Sequence, residues 1–186
     1  MNPPIDISQV TLSTARLTLR PWRESDLEDF YAYASVDGVG QMAGWTPHRD
    51  RAESRRILGH FIEEKKTFAL EYRGKVIGSL GVETYDEARF PEWDQLRGRS
   101  LGYVLSKDYW GQELMPEAVR AVIDYLFASQ SLDFIAIGHF DWNHQSKRVI
   151  EKCGLSYYKS IPFETANGTV ENAEVSILYR AQWENA

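Results

Sequence analysis

Leu12, Leu17 and Leu19 alternate with polar neighbours up to Pro21, so residues 11–21 read as one half-buried strand that the proline ends. The period then lengthens. Leu27, Phe30, Tyr31 and Ala34 recur at helical spacing behind the capping-box sequence Ser25-Asp26-Leu27-Glu28, and the helix they predict stops before Gly38, Gly40 and Gly44. Asp50-Arg51-Ala52-Glu53 repeats the capping pattern ahead of Ile57, Leu58, Phe61 and Ile62, the apolar stripe of a second helix. From Phe68 the alternation returns. Phe68, Leu70 and Tyr72, a turn at Arg73-Gly74 and the apolar run Val76 to Val82 predict a hairpin. Asp86 to Arg97 is charged and aromatic, contains Pro91 and reads as a loop, and Ser100 to Leu105 is another apolar strand.

After Tyr109-Trp110-Gly111, Pro116 suits the first turn of a long helix on which Val119, Val122, Ile123 and Leu126 share a face. Phe134 to Phe140 reads as a strand, Asn143 to Cys153 as a helix closed by Gly154, and Leu155 to Phe163 as a further strand. Asn167-Gly168 is a hairpin-turn dipeptide leading into Val175, Ile177 and Tyr179. The order β-α-α-β-β-β-α-β-α-β-β predicts an α/β fold, a mixed sheet of about seven strands covered by about four helices.

With 186 residues, 43% hydrophobic and 26% charged, the chain has the size and balance of one globular domain, residues 1–186. No apolar run reaches membrane-spanning length, and the start Met1-Asn2-Pro3-Pro4-Ile5-Asp6 lacks a signal sequence, so a cytoplasmic protein without a membrane partner is expected. The lone Cys153 excludes an internal disulfide and a multi-cysteine zinc site. In a reducing compartment the sequon Asn167-Gly168-Thr169 carries no meaning. A net charge of −6 argues against general nucleic-acid binding, which needs clustered cations.

The strand Leu101 to Leu105, the loop holding Gly111 and a following helix start form the physical recipe for a pyrophosphate site, because unpaired amides and the helix dipole both face the anion. A glycine there for turn geometry alone is the competing reading. Asn143 and Ser146 stand three apart, one helical turn on one face. Taken alone they read as a helix N-cap and an ordinary first-turn residue.

The strand Leu101-Gly102-Tyr103-Val104-Leu105, the loop Ser106 to Gly111 and the helix from Pro116 resemble the first cofactor motif of the GNAT acyltransferase superfamily, in its ribosomal-protein N-acetyltransferase branch. Asn143-His144-Gln145-Ser146 to Leu155 resembles the second, and Thr14 to Trp22 with Asp26 resembles the opening of that branch, so the likeness runs from about residue 11 to 183. It implies a GNAT-type, mostly antiparallel sheet and transfer of acetyl from acetyl-coenzyme A to an amine by direct attack. By the same resemblance Asn143 contacts the cofactor and Ser146 gives a proton to the departing thiolate. A main-chain amide of the strand holding Tyr103, Val104 and Leu105 would stabilise the oxyanion, Trp110 would join the cofactor-binding residues, and Gly111, Gln112, Glu113, Leu114 and Met115 would cradle the pyrophosphate. The family's loop reads Arg or Gln, two residues, Gly, one residue, Gly or Ala; here those positions hold Trp110, Glu113 and Met115. Glu113 puts a carboxylate beside an anion, which costs affinity unless it turns to solvent or meets a cation. A coenzyme A-binding or regulatory module that has lost transfer is the alternative.

An acceptor lysine, with a pKa of about 10.4, costs some 3 kcal/mol more to deprotonate than an α-amine near 8. The acceptor can be a protein N-terminus or a small-molecule amine. Glu83 is the first candidate for the base and reads equally as a solvated strand end; His139 and Asp141 follow it. Four further features take structural readings. Gly38 to Ala43 fits a dinucleotide pattern but follows a helix and reads as a loop. Cys153 reads as a buried thiol, and the four histidines show no metal-ligand spacing. Trp45, Pro47, His48, Phe90 and Trp93 read as the lining of an acceptor pocket or as homodimer contacts.

Overall fold

The computed structural model describes residues 1–185. Along the chain it places β1 (Leu12–Ser13), β2 (Leu17–Pro21), α1 (Leu27–Ala34), α2 (Arg51–Glu64), β3 (Thr67–Tyr72), β4 (Lys75–Glu83) and β5 (Gly98–Leu105). There follow α3 (Leu114–Ser129), β6 (Phe134–Phe140), α4 (His144–Lys152), β7 (Ser156–Glu164), β8 (Val170–Tyr179) and α5 (Arg180–Trp183). The eight strands form one sheet in the order β1-β2-β3-β4-β5-β6-β8-β7. Every neighbouring pair is antiparallel except β5 with β6.

Alternation assigns the faces. Ile135 and Ile137 of β6 pack with Ala118, Val119 and Val122 of α3 and Ile150 of α4, while Phe134 and Ala136 pack with Tyr85, Phe90 and Trp93 on the other side. Phe30 of α1 and Leu58 of α2 cover that second face further along, over Ala69 and Val76. Helix α3 is the main support: nine of its sixteen residues are buried, and each fully buried Leu or Val is worth about 1.5–3 kcal/mol relative to exposure.

Four expectations are corrected. Residues 11–21 are two strands, because Thr14 Oγ1 accepts the Leu17 amide at 2.9 Å and folds the chain back so that Leu12 pairs with Leu19. Ser25 caps nothing. Asp26 accepts the Arg23 amide at 2.8 Å and both terminal guanidinium nitrogens of buried Arg20 at 2.9 Å, so the chain enters α1 through a short 3₁₀ turn. The loop 86–97 folds into two 3₁₀ turns whose Phe90 and Trp93 are buried and stacked at 4.2 Å, which excludes them as an exposed dimer contact. The four-residue α5 was too short for periodicity to show. Asp50 does cap α2, accepting the Glu53 amide at 2.8 Å, and Arg73 and Gly74 both take positive φ in the β3–β4 hairpin.

Candidate active site

β5 and β6 are neighbours over only half their length. Pairing runs from Gly98 with Phe134 to Leu101 with Ile137 and stops there, although β5 continues to Leu105 and β6 to Phe140. Each keeps its other neighbour to the end: β5 pairs with β4 as far as Leu105, and β6 with β8 as far as Phe140. Two parallel strands held apart by their outer partners leave a cleft through the sheet. The Ser106 amide donates to the Ile77 carbonyl at 2.8 Å, which sets the phase of the β4–β5 ladder. Amides of Gly102 and Val104 then face β4, and those of Tyr103 and Leu105 face the cleft. A cavity of about 910 Å³ occupies the cleft and is lined by residues from both faces of the sheet.

At one end of the cavity lies the start of α3. Gly111 has φ +74° and Glu113 φ +61°, so Glu113 holds the left-handed conformation in which glycine would be unstrained. No side chain caps α3, and among the described residues the amides of Gly111 to Met115 donate to no protein acceptor. Pro116, in the first turn, has no amide to satisfy. Unused donors and the positive end of a sixteen-residue helix together make an anion site from main chain alone. Trp110, Gly111, Glu113, Leu114 and Met115 line the cavity, whereas the Gln112 side chain turns away to the Asp108 carbonyl at 3.1 Å. The Trp110 indole donates to the Leu105 carbonyl at 2.8 Å and ties this loop to the strand.

The Glu113 carboxylate meets Lys152 of α4 at 2.5 Å, and that contact holds its pKa below the ordinary glutamate range. The unfavourable carboxylate is therefore neutralised within the chain. Lys152 and Arg148 stand one turn apart on the α4 face that borders the cavity, and Arg148 forms no ion pair among the described residues. Both cations escaped the sequence reading, although their i, i+4 spacing on the Asn143 helix was there to be seen.

Helix α4 begins differently. Asn143 is buried; its Oδ1 accepts the Ser146 amide at 3.1 Å, and its Nδ2 donates to the Met42 carbonyl at 3.1 Å. Asn143 is thus an N-cap that also anchors the Gly40–Ala43 turn over the cavity, where Met42 and Ala43 join the lining. The Ser146 hydroxyl lies 2.8 Å from the Tyr103 hydroxyl. Burial pushes the Tyr103 phenol well above its ordinary pKa, so it remains a hydrogen-bond donor at neutral pH. Tyr103 entered the sequence reading for its main chain, and its side chain is the part that pairing with Ser146 adds.

Glu83 lines the other end of the cavity, and its carboxylate pairs with Lys66 at 2.8 Å. Burial alone would lower the Lys66 ammonium, but Glu83 and Glu64 outweigh it and raise its pKa. His139 borders the cavity from the α4 side. It is buried, neither ring nitrogen has a hydrogen-bond partner among the described residues, and desolvation lowers its pKa despite Glu174 at 3.5 Å. Asp141 is outside the lining and accepts from Asn172 at 3.1 Å. Of the aromatic loop residues, Phe90 and Trp93 reach the cavity and Trp45, Pro47 and His48 do not.

Residues 16–156 match the acetyltransferase (GNAT) domain family. The chain belongs to the GNAT acetyltransferase family. Among curated proteins it is 32% identical over 126 residues to the uncharacterized N-acetyltransferase p20 of Bacillus licheniformis, covering 67% of this chain and 70% of that one. Among solved structures, the microcin C7 self-immunity acetyltransferase MccE, in complex with acetyl-CoA and AMP, aligns with a TM-score of 0.74 at 16% identity, covering 89% of this chain and 93% of that one. A ribosomal-protein alanine acetyltransferase of Vibrio fischeri aligns with a TM-score of 0.72 at 20% identity, covering 94% and 98%. At these identities the structures report the GNAT fold.

Cys153 is buried near the Pro116 carbonyl, and burial pushes its thiol up to about 11, which leaves it protonated and unreactive. Among the described residues no group of three or more His, Cys, Asp or Glu converges to hold a metal, and no helix is long and apolar enough to cross a membrane.

Proposed function

We propose that the chain transfers acetyl from acetyl-coenzyme A to a primary amine, a protein N-terminus or a small molecule, by direct attack in the β5–β6 cleft. The reading is carried by one observation: the parallel ladder stops at Leu101 and Ile137 and leaves a passage, with the uncapped start of α3 at one end of it. The cradle fits a pyrophosphate, since the amides of Gly111 to Met115 are unspent and Arg148 and Lys152 stand beside them. When bound there, the coenzyme supplies a thioester, the acyl group and a thiol leaving group together. The cleft-facing amides of Tyr103 and Leu105 are placed to donate to an oxygen that gains charge during transfer.

Ser146 holds the proton for the departing sulfur. The Tyr103 and Ser146 hydroxyls are 2.8 Å apart, and with the phenol as donor the serine hydrogen is free to point into the cavity. A thiol with a pKa of about 8.5 is a fair leaving group at neutral pH, so a hydrogen bond is sufficient help. Glu83 is a carboxylate lining the cavity beside Gly81 and Gly102, where it can take the amine proton directly or through water. Asn143 acts by fixing the first turn of α4, and with it Ser146.

The test pairs calorimetric titration of acetyl-coenzyme A with thiol release over a panel of amines. Micromolar binding and amine-dependent release are expected. Binding without release from any amine would leave a coenzyme A-binding module, and no binding at millimolar concentration would contradict the cradle.

A further inference from the structure

Gly81, Gly102 and Gly138 lie side by side across β4, β5 and β6. Gly81 is the register partner of Gly102, and Gly138 follows Ile137, the partner of Leu101. All three fall on the face opposite α3 and α4. Central strands normally bury both faces under side chains, yet Gly102 and Gly138 are exposed. A Cβ on Gly138 would meet nothing within 4 Å, and one on Gly102 would find only Glu83 Cγ, at 3.9 Å. Neither glycine is there for a positive φ, since neither has one. The space above them is itself the feature. Over Gly81 the Glu83 carboxylate is folded down, so that a Cβ there would collide with it.

The walls above this floor are apolar: Tyr85, Phe90 and Trp93 on one side, Ile161, Phe163 and Val175 on the other, all bordering the cavity. The charges bordering it are largely committed. Glu83 pairs with Lys66 at 2.8 Å, Asp86 with Arg89 at 3.1 Å and Glu113 with Lys152, which leaves Glu164 as the bordering carboxylate without an ion pair among the described residues. Such a site attracts one ammonium group and offers apolar contact to whatever carries it; it holds no array of free carboxylates for a polycation.

We propose that the glycine floor is the acceptor subsite and that it takes a primary amine on a compact apolar body, such as an arylalkylamine. This rests on the acyl-transfer reading above. The amine passes over Gly102 and Gly138 to the cleft, the ammonium is led by Glu83, and the apolar body lies between the aromatic wall and β7–β8. In the transfer, the amine nitrogen bonds to the acetyl carbon as the carbon–sulfur bond breaks. The ammonium first loses one proton to the carboxylate or water, and the nitrogen loses a second to water once it is bonded; the thiolate leaves hydrogen-bonded to Ser146 and takes up a proton from water, so the serine ends unchanged.

The experiment measures thiol release with phenethylamine, ethylamine, spermidine and a tetrapeptide bearing a free α-amine, for the wild type and for Gly138→Val. In the wild type, kcat/KM for phenethylamine should exceed that for each other amine at least tenfold. Gly138→Val fills open space with a residue suited to a strand, so phenethylamine should lose at least tenfold and ethylamine less than threefold. If Gly138→Val does not fold, Gly102→Ala should show the same bias at a smaller size. Preference for spermidine or the peptide, or equal loss for all amines, overturns the proposal. Loss of acetyl-coenzyme A binding in the variant, read by calorimetry, would place the floor in the donor site and also overturns it. Coenzyme binding with no release to any wild-type acceptor defeats the acyl-transfer reading itself, and the subsite with it.

Discussion

Helices α3 and α4 both start at the cleft, and they satisfy their first turns in opposite ways. The α4 start spends its donors internally, with Asn143 Oδ1 on the Ser146 amide. The α3 start has no side-chain cap, and the amides from Gly111 to Met115 are left for a ligand. By side-chain identity the ranking would be reversed, because the Asn143 to Leu155 stretch resembles its family motif well and the Trp110 to Met115 loop departs from it. An anion cradle made of main chain needs a backbone shape and free N–H groups, and Glu113 supplies the shape at φ +61° while Lys152 cancels its charge. On the proposed reading the α3 start binds, and the α4 start positions a proton donor.

If that division of labour is right, the largest separation comes from the donor. Ser146→Ala should lower kcat by about tenfold to a hundredfold, in keeping with a lost hydrogen bond to developing charge, and leave acetyl-coenzyme A affinity within threefold. Tyr103→Phe should reproduce part of the loss, and the double variant should be no worse than Ser146→Ala alone, since the two act as a unit. Steady-state kinetics with calorimetry reads both. Lys152→Glu should do the reverse: two carboxylates then face the cradle, and affinity should weaken about tenfold with kcat nearly preserved. Equal effects on kcat and affinity in either variant would break the comparison.

A smaller effect concerns the cap. Asn143→Ala should cost about 1 kcal/mol or more of stability in urea unfolding, and Asn143→Asp should recover only part of it, because an aspartate caps as well as an asparagine but turns an acceptor onto the Met42 carbonyl in place of the donor. The smallest is a pH dependence. His139 and His48 are buried with pKa values held below 6.5 by desolvation, so the unfolded chain takes up their protons first as the pH falls. Stability should decline below about pH 6.5 by no more than about 1.4 kcal/mol per pH unit for each. His139→Gln should flatten that slope in unfolding curves at pH 7.5 and 5.5.

Much of this was legible in the sequence. Periodicity placed the four longer helices and most strands, and Asn143 announced a cap because its side chain does the capping. What the sequence withheld depends on distant partners. The fold-back at Thr14 is made by a side chain bonding main chain three residues on, inside a stretch whose alternation looks unbroken. The cleft exists because β5 and β6 follow different outer neighbours, and the Tyr103–Ser146 pair joins residues 43 positions apart. Free amides carry no side-chain signature at all. Gly102 and Gly138 were readable as letters, but their alignment across two strands required the register.

The claim that the α3 start is the binding cradle can be tested by following amide proton and nitrogen shifts as coenzyme A is titrated into the labelled protein. The amides of Gln112, Glu113, Leu114 and Met115 should move downfield, as new hydrogen bonds to phosphate require, while those of Gln145 and Ser146 should move much less. Shifts concentrated at the start of α4, with Gly111 to Met115 unmoved, would contradict the account.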